Sequence, residues 1–549
     1  MLTITWILLT IILIYLIKLI IDYRNWMRHF YKYPSYSVTI SDVLVYFSGP
    51  EAVIKKWGSR SFFRRALQLT KNDDYFVIWL AFIPVLFIKN PNLAEKAFKA
   101  HNIKTIFMSA VLPVIRNGIF MMSDEKKWKI FRKISEINLK TKMLQKFFPI
   151  MSHHCDKMVD KLYKLEEGQW SDFNDEVGLT TFNVICESGM GISTESPKLE
   201  STALRLFEVT LQFPKHIVLR AFNPLLWPEF TWTRYLDYMS DGQSKVLEKL
   251  FKYVVKREVT RQLGFKSEGE TTISKDDDSL KRSVSDNAQN NNTIDEKDDI
   301  DLIKPNCIEN NFLSKVVDIY VNQNVTNQVN HENLISADEV ESEINNFVLA
   351  GFETVRTGIL FTLACIASEP IIQQRIYDEL VEVFGDPQEK WTFDLEKLNQ
   401  LHFTDCCVRE GLRIFAPQQL LGRNSGSEKF QLDEDHLLPP RTEYLISVYS
   451  IHHNEKIYPE PEKYDPDRWS PGRVEKIPFN CWIPFGVGPR ACVGYRYAIY
   501  EMIMVISSIV KHFHLYSNRH YDDINWSFVL TTRPIEELKF KVKPRNKSN

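Results

Sequence analysis

The sequence predicts a mainly α domain with a minor β part. Three observations carry that expectation. Helical periodicity runs through residues 123–260 and returns at 339–370. Residues 75–91 form two short runs rich in β-branched and aromatic side chains. Past residue 420 the chain turns mixed and turn-rich, with a short strand near 443–449. The 549 residues are 44% apolar, enough for one large core. A formal net charge of −2 argues against the global basic field of a nucleic-acid binder. The eight cysteines are scattered, with no CxxC pair and no zinc spacing, so most of them read as small buried hydrophobes.

The chain opens with "MLTITWILLTIILIYLIKLIIDYR". Residues 2–17 carry no charge, Lys18 interrupts near the end, and residues 19–21 extend the apolar run. About twenty residues at ~1.5 Å each cross a hydrocarbon core. Arg24, Arg28, His29 and Lys32 follow the span, which places the rest of the protein in the cytosol by the positive-inside rule. There is no basic start and no A-x-A site, so residues 1–22 are expected to be an uncleaved anchor rather than a cleaved signal. Residues 23–74 are then a linker and the start of the main domain, which occupies 75–545.

Within that domain, residues 75–91 read as β and "NLAEKAFKA" as helix. The helical stretch 123–260 is broken at 221–232 by an apolar loop with two prolines. Residues 264–310 are polar, acidic and Asn-rich, and bury too little apolar surface to offset their ordering entropy. They are expected to be a disordered surface insertion, an interdomain linker being the alternative. A helix with an acidic capped start and a long apolar stripe begins near Ser336 and stops at Pro370.

The chemistry concentrates in "PFGVGPRACVG". Cys492 stands among Gly486, Gly488 and Gly494, with Phe485 and Arg490 before it and an apolar helical run behind it. A thiolate that ligates iron needs a positively biased, desolvated site that lowers its pKa. Glycines let backbone N–H groups approach the sulfur, and a helix N-terminus favours its charge. Arg490 suits an acidic group on a ligand. A glycine-rich loop before a core helix would explain a bare Gly-Cys-Gly, but not the full set of spacings.

Phe485-Gly486-x-Gly488-x-Arg490-x-Cys492-x-Gly494 resembles the haem-ligating signature of the cytochromes P450 at every fixed position. The resemblance implies the P450 fold, preceded here by one transmembrane helix, and haem b (iron protoporphyrin IX) with Cys492 as its axial ligand. Other marks of the family follow in order. Glu410 and Arg413 in "EGLR", with Arg468 in "PDRW", resemble its buried three-residue structural network. Trp128 and Arg132 in "WKIFR" resemble its WxxxR element, whose residues approach the haem propionates. Arg423, ten residues after Arg413, occupies another propionate-directed position.

"AGFETV" resembles the family's stretch over the haem. Mid-helix Gly351 costs ~1 kcal/mol relative to alanine, and the resemblance reads it as space for O2. Glu353 and Thr354 are then the acid and alcohol that relay protons. Val355 stands where many relatives carry a second hydroxyl. Motif position alone places Ile119, Phe120, Phe347 and Ala350 in the substrate pocket. Lys126, Lys127, Lys129 and Lys133 form a basic patch for an acidic electron donor.

"HHNEKIYPEPEKYDPDRW" and "EGLRIFAPQQLLGR" are most similar to the membrane-bound branch containing fatty-acid omega-hydroxylases. Ala350 replaces the glutamate that some members esterify to haem, so no such ester is expected. The resemblance implies a monooxygenase that inserts one atom of O2 into a small apolar substrate: fatty acid or other lipid first, then sterol or xenobiotic. Electrons would come from NADPH through NADPH–cytochrome P450 reductase, with cytochrome b5 as a second donor, at the endoplasmic reticulum membrane. A haem-thiolate isomerase or dehydratase needing no reductase, and a non-enzymatic membrane haem protein, are the alternatives. The Glu353–Thr354 pair argues against both.

Overall fold

The longest helix is built from a sequence apolar nearly all round, so neighbours must cover it on several sides. It spans Ala337–Ser368, and the computed structural model places it at the centre of the fold. Ser336 and Glu339 cap its start reciprocally: the Glu339 N–H donates to the Ser336 hydroxyl at 3.2 Å, and the Ser336 N–H donates to the Glu339 carboxylate at 2.8 Å. It ends just before Pro370, where the pre-proline residue is turned out of the helical region. The structure describes residues 59–80, 83–101, 103–105, 117–166, 168–191, 252, 254–262, 311–326, 335–528 and 530–545, with scattered positions between 6 and 36.

Eight helices position the site. In chain order they are α1 (Pro91–Ala100), α2 (Glu125–Asn138), α3 (Thr141–Leu162), α4 (Asn174–Met190), α5 (Phe312–Thr326), the central α6, α7 (His402–Ile414) and α8 (Tyr495–His512). Helix α6 packs against α4, α7 and α8, and α8 packs in turn on α3. This is the mainly helical architecture the periodicity predicts.

The β part is a five-stranded sheet with the order β1-β2-β3-β5-β4: β1 (Ser35–Tyr36), β2 (Tyr75–Leu80), β3 (Ile83–Ile88), β4 (Leu420–Asn424) and β5 (Glu443–Ser447). Strands β2 and β3 form an antiparallel pair with Tyr75 opposite Ile88, while β5 runs parallel to β3 and antiparallel to β4. Alternate residues serve different cores. Phe76, Ile78, Val85 and Phe87 join the helical core, whereas Tyr75, Val77, Leu86 and Ile88 join a second apolar cluster behind the sheet. Burial on both faces explains why residues 75–88 read as a nearly unbroken apolar run rather than an alternating one. A separate hairpin, β6 (Trp526–Phe528) and β7 (Thr532–Pro534), forms its own two-stranded sheet and meets Ser59 through a single bridge at Ser527.

Between residues 6 and 30 every described position is helical, and Trp6, Leu13, Ile14, Ile17, Ile20 and Ile21 are exposed. Most of the expected anchor lies outside the described residues, as do the 221–232 loop, the 264–310 insertion and Cys307. Among the described residues one helix is long and apolar enough to cross a membrane, and it is α6. Its burial inside the domain makes it a core helix.

Helix α7 meets α6 through Gly411. A Cβ there would stand 2.9 Å from the Cβ of Thr362, a buried β-branched residue with little freedom to turn. Gly411→Ala should therefore lower stability by about 1–3 kcal/mol, overpacking outweighing the gain of ~1 kcal/mol in helix propensity. Thermal unfolding of that variant, and partial recovery in the Gly411→Ala/Thr362→Ala pair, check the expectation.

Candidate haem-thiolate site

The cysteine loop is shaped by two glycines in the left-handed region, Gly486 at φ 70° and Gly488 at φ 79°. A Cβ on Gly488 would press to 3.2 Å on the Phe98 carbonyl oxygen of α1, so only glycine lets the loop close on that helix. Backbone bonds complete the loop: Cys492 N–H donates to Phe485 O at 2.8 Å, and Ala491 N–H to Gly488 O at 3.0 Å. Gly494 caps α8, whose first residue follows Cys492 by three positions.

Of the described cysteines, Cys492 alone is exposed; the other six are buried. Burial by surrounding protein nonetheless pushes its thiol pKa up, with the Gly494 N–H and the Arg132 charge pulling the other way. Accessible surface combined with desolvation describes a thiol at the floor of a recess. The expectation of a lowered thiol pKa is corrected here. In the protein alone, desolvation outweighs the helix terminus and the nearby cation, and a bound metal ion is what deprotonates such a thiol.

Four cations gather around this recess. Arg490 donates to Ile119 O (3.1 Å) and Met122 O (2.8 Å) and lies 4.2 Å over the Trp128 ring. Arg132 donates to Ala491 O at 2.5 Å and pairs with Glu136. Arg423 reaches the Gly422 carbonyl and the face of Phe98. Lys104, which the sequence reading missed, sits 4.2 Å over Phe120. The Nε groups of Arg423 and Arg490 are buried without a partner. Burial lowers both guanidinium pKa values to about 10, Arg490 being further opposed by Arg423 and Arg132. Lys104 is pushed well down by burial and by the two arginines. Among the described residues Lys104, Arg423 and Arg490 have no carboxylate at ion-pair distance, so the cluster is short of negative charge.

Helix α6 faces the same region. The Ile119 N–H donates to Glu343 of α6 at 2.6 Å while the Ile119 carbonyl accepts from Arg490, so one residue bridges the helix to the cysteine loop. Ala350 is exposed, and one turn on Thr354 donates its hydroxyl to the Ala350 carbonyl at 2.7 Å. Glu353 turns elsewhere. Its carboxylate accepts from Arg356 (2.7 Å), Arg533 (2.8 Å) and Thr531 (2.9 Å). Burial alone would raise its pKa, but the two guanidinium charges and the hydroxyl outweigh it and hold the carboxyl below the usual range. A steep 100° step per residue separates the acid from the alcohol beside it, so the two do not share a face.

One further expectation, that of Gly351, changes. A Cβ on Gly351 would stand 2.6 Å from Ile185 of α4, so the missing side chain admits a neighbouring helix rather than a ligand. Phe347 stacks on Phe312 of α5 at 4.0 Å and abuts Gly189 of α4. Both residues lie on the face that α4 covers, four positions apart. In the basic patch, Lys127 is tied to Glu339 at 2.8 Å, leaving Lys126, Lys129 and Lys133 exposed on α2.

The profile of the cytochrome P450 family matches residues 54–540. The chain belongs to the cytochrome P450 family. It is 23% identical over 495 residues to "Probable cytochrome P450 4ac1" of Drosophila melanogaster, covering 89% of this chain and 86% of that protein. It is 22% identical over 503 residues to "Cytochrome P450 4V2" of Homo sapiens, covering 90% and 87%. "Cytochrome P450 4c3" of Drosophila melanogaster is 29% identical over a shorter 214 residues, 39% of each chain. As a P450 the protein is a haem b monooxygenase that uses O2, a substrate and a redox partner. The residues fit the cofactor: an accessible thiol lies on the recess floor, and cations with orphaned donors suit its two carboxylates.

The P450 core behind the recess is braced by Glu410. Its fully buried carboxylate accepts from Arg413 twice at 2.9 Å, from Arg468 at 3.1 Å, from the Trp469 indole at 3.0 Å and from the Asp465 N–H at 3.1 Å. Arg413 also donates to the carbonyls of His452, Pro461 and Lys463. The His452 ring then accepts from the Ile483 N–H at 2.9 Å, two residues before Phe485. Burial keeps that imidazole neutral, which the acceptor role requires. Glu410→Ala would strand two buried guanidinium groups and should cost about 3–5 kcal/mol. Lower thermal stability together with reduced haem uptake is the expected outcome.

Proposed function

We propose that the protein is a membrane-anchored haem-thiolate monooxygenase of apolar lipids, fatty acids foremost, fed by NADPH–cytochrome P450 reductase with cytochrome b5 as a second donor. The observation that carries this reading is Cys492, the one accessible thiol among the described cysteines, beneath a cluster of cations with no matching anion among the described residues. In it Cys492 would supply the thiolate that holds the haem iron, with Phe485 and Gly486 shaping its loop, and Arg132, Arg423, Arg490 and Lys104 would hold the two propionates while Trp128 supports Arg490. Bound there, haem b supplies the iron at which O2 is activated and one oxygen atom is inserted into substrate.

The chain's own residues do the rest. Thr354, on the open face with Ala350, holds a proton at its hydroxyl oxygen. Ile119, Phe120 and Ala350 wall the space a substrate enters. The exposed Lys126, Lys129 and Lys133 on α2 suit an acidic redox partner. The exposed apolar helical positions between 6 and 21 support a single-pass anchor in the endoplasmic reticulum membrane, with the domain in the cytosol.

The reduced protein with CO should show the Soret band of thiolate ligation, and Cys492→Ser should lose it; a histidine-type band in the parent protein would exclude the Cys492 assignment. Haem dimethyl ester, which has no carboxylates, should bind the apoprotein at least about tenfold more weakly than haem, since charge-assisted bonds contribute ~1.5–3 kcal/mol each. Competitive haem transfer measures this. With added reductase, lipid-dependent NADPH consumption and hydroxylated product separate a monooxygenase from an isomerase, which consumes none.

A further inference from the structure

Residues 118–122 make one turn, closed by the Met121 and Met122 N–H groups donating to Gly118 O at 3.0 and 2.9 Å. The turn lies close on α6: a Cβ on Gly118 would stand 2.8 Å from the Ser342 carbonyl oxygen, so the approach needs glycine. Glu343 of α6, 1% exposed, anchors the turn: its Oε2 accepts from the Ile119 N–H at 2.6 Å. Arg490 then places both terminal nitrogens on the same turn, Nη1 on Ile119 O at 3.1 Å and Nη2 on Met122 O at 2.8 Å. Its Nε is buried without an acceptor among the described residues. Phe120 of the turn carries Lys104 over its ring at 4.2 Å. Two of the recess cations are thus seated on one turn, and a buried carboxyl of the central helix holds that turn.

We propose that Glu343 is a positioning residue for the cofactor: by fixing Ile119 on α6 it sets where Arg490 meets a propionate. This rests on the reading of the recess cations as propionate ligands, and adds to it a residue that acts through another. Ile119 is the joint. Its N–H serves α6 and its C=O serves the recess, so a shift of the turn on α6 carries the carbonyl and the guanidinium with it. Two carbonyls of one turn fix both ends of a planar fork, which leaves Arg490 little freedom of its own. The carboxyl works as a neutral acceptor. Burial pushes it up to about 8 against the opposing pull of the Ile119 N–H. The charges around it are engaged elsewhere: Glu339, one turn earlier on α6, pairs with Lys127 of α2 at 2.8 Å, and Arg490 binds the Ile119 carbonyl. Glutamine, uncharged and of the same length with one accepting oxygen, is therefore its isostere at pH 7. Leucine offers no acceptor and leaves the Ile119 N–H buried and unpaired, which favours a turn moved off the helix.

The test follows loss of haem, and of haem dimethyl ester, from the loaded full-length protein to a competing haem acceptor at pH 7. In the parent the ester should leave at least about tenfold faster. Glu343→Leu should narrow that ratio to about threefold or less, because a displaced Arg490 no longer meets a carboxylate, and Glu343→Gln should keep it at the parent value. In Glu343→Leu, amide hydrogen exchange across residues 118–122 should also rise on the order of tenfold. A general loss of stability speeds both ligands alike and leaves the ratio unchanged. An unchanged ratio or unchanged exchange in Glu343→Leu therefore overturns the proposal, as does a ratio in Glu343→Gln as narrow as in Glu343→Leu. If Glu343→Leu takes up no haem, the more flexible Glu343→Met carries the same expectations, and an unchanged ratio there overturns the proposal equally. A parent ratio near one refutes the propionate reading itself, and the proposal with it; a wide parent ratio that survives Glu343→Leu refutes the proposal alone.

Discussion

Glu410 is a carboxylate with no route to water, and much of the molecule is arranged to make that tolerable. An isolated charge in such a place would be prohibitive, so five donors converge on it, from the helix that carries it and from the loop around residues 465–469. The constraint spreads outward. Once Arg413 is fixed by Glu410, its remaining N–H groups reach three backbone carbonyls that no regular element satisfies. One of these belongs to His452, whose neutral ring receives the backbone of the cysteine loop. A helix, an irregular loop and the cysteine loop are thus held in register by one buried charge.

The recess and the surroundings of Glu353 on α6 differ in their electrostatic design. Around Glu353 both carboxylate oxygens find donors within the protein, two guanidinium groups and a hydroxyl. Around Cys492, among the described residues, three cations lack an anion and two Nε groups lack an acceptor. A protein carries such a deficit in a low-dielectric region only where something else supplies the charge. The stability of the domain and its affinity for a dianionic cofactor are therefore linked quantities.

What was legible in the sequence was local. The cysteine loop, the Trp128–Arg132 and Glu410–Arg413 pairs and the capped start of α6 depend on spacings of a few residues, and backbone geometry turns such spacings directly into neighbours. The two strands of 75–91 were legible for the same reason. Lys104 was not, because its partners lie at 120, 423 and 490 and no short pattern links them. Arg533 was hidden likewise, 180 residues from Glu353. Gly351 and Glu353 were placed in the right helix but with other neighbours than expected, Ile185 against the one and Arg356, Thr531 and Arg533 on the other. Their orientation is set by what α4 and the hairpin present to them, which helical periodicity alone does not encode.

The accessibility of Cys492 has a practical consequence. Cys155, Cys186, Cys365, Cys406, Cys407 and Cys481 are buried, which shields them from alkylating reagents in the folded protein. Among the described cysteines the one with an open approach is the one whose sulfur a cofactor would occupy. The fold therefore carries its own occupancy gauge: the fraction of chains that a small thiol reagent modifies at Cys492 counts the molecules in which the recess has not been filled.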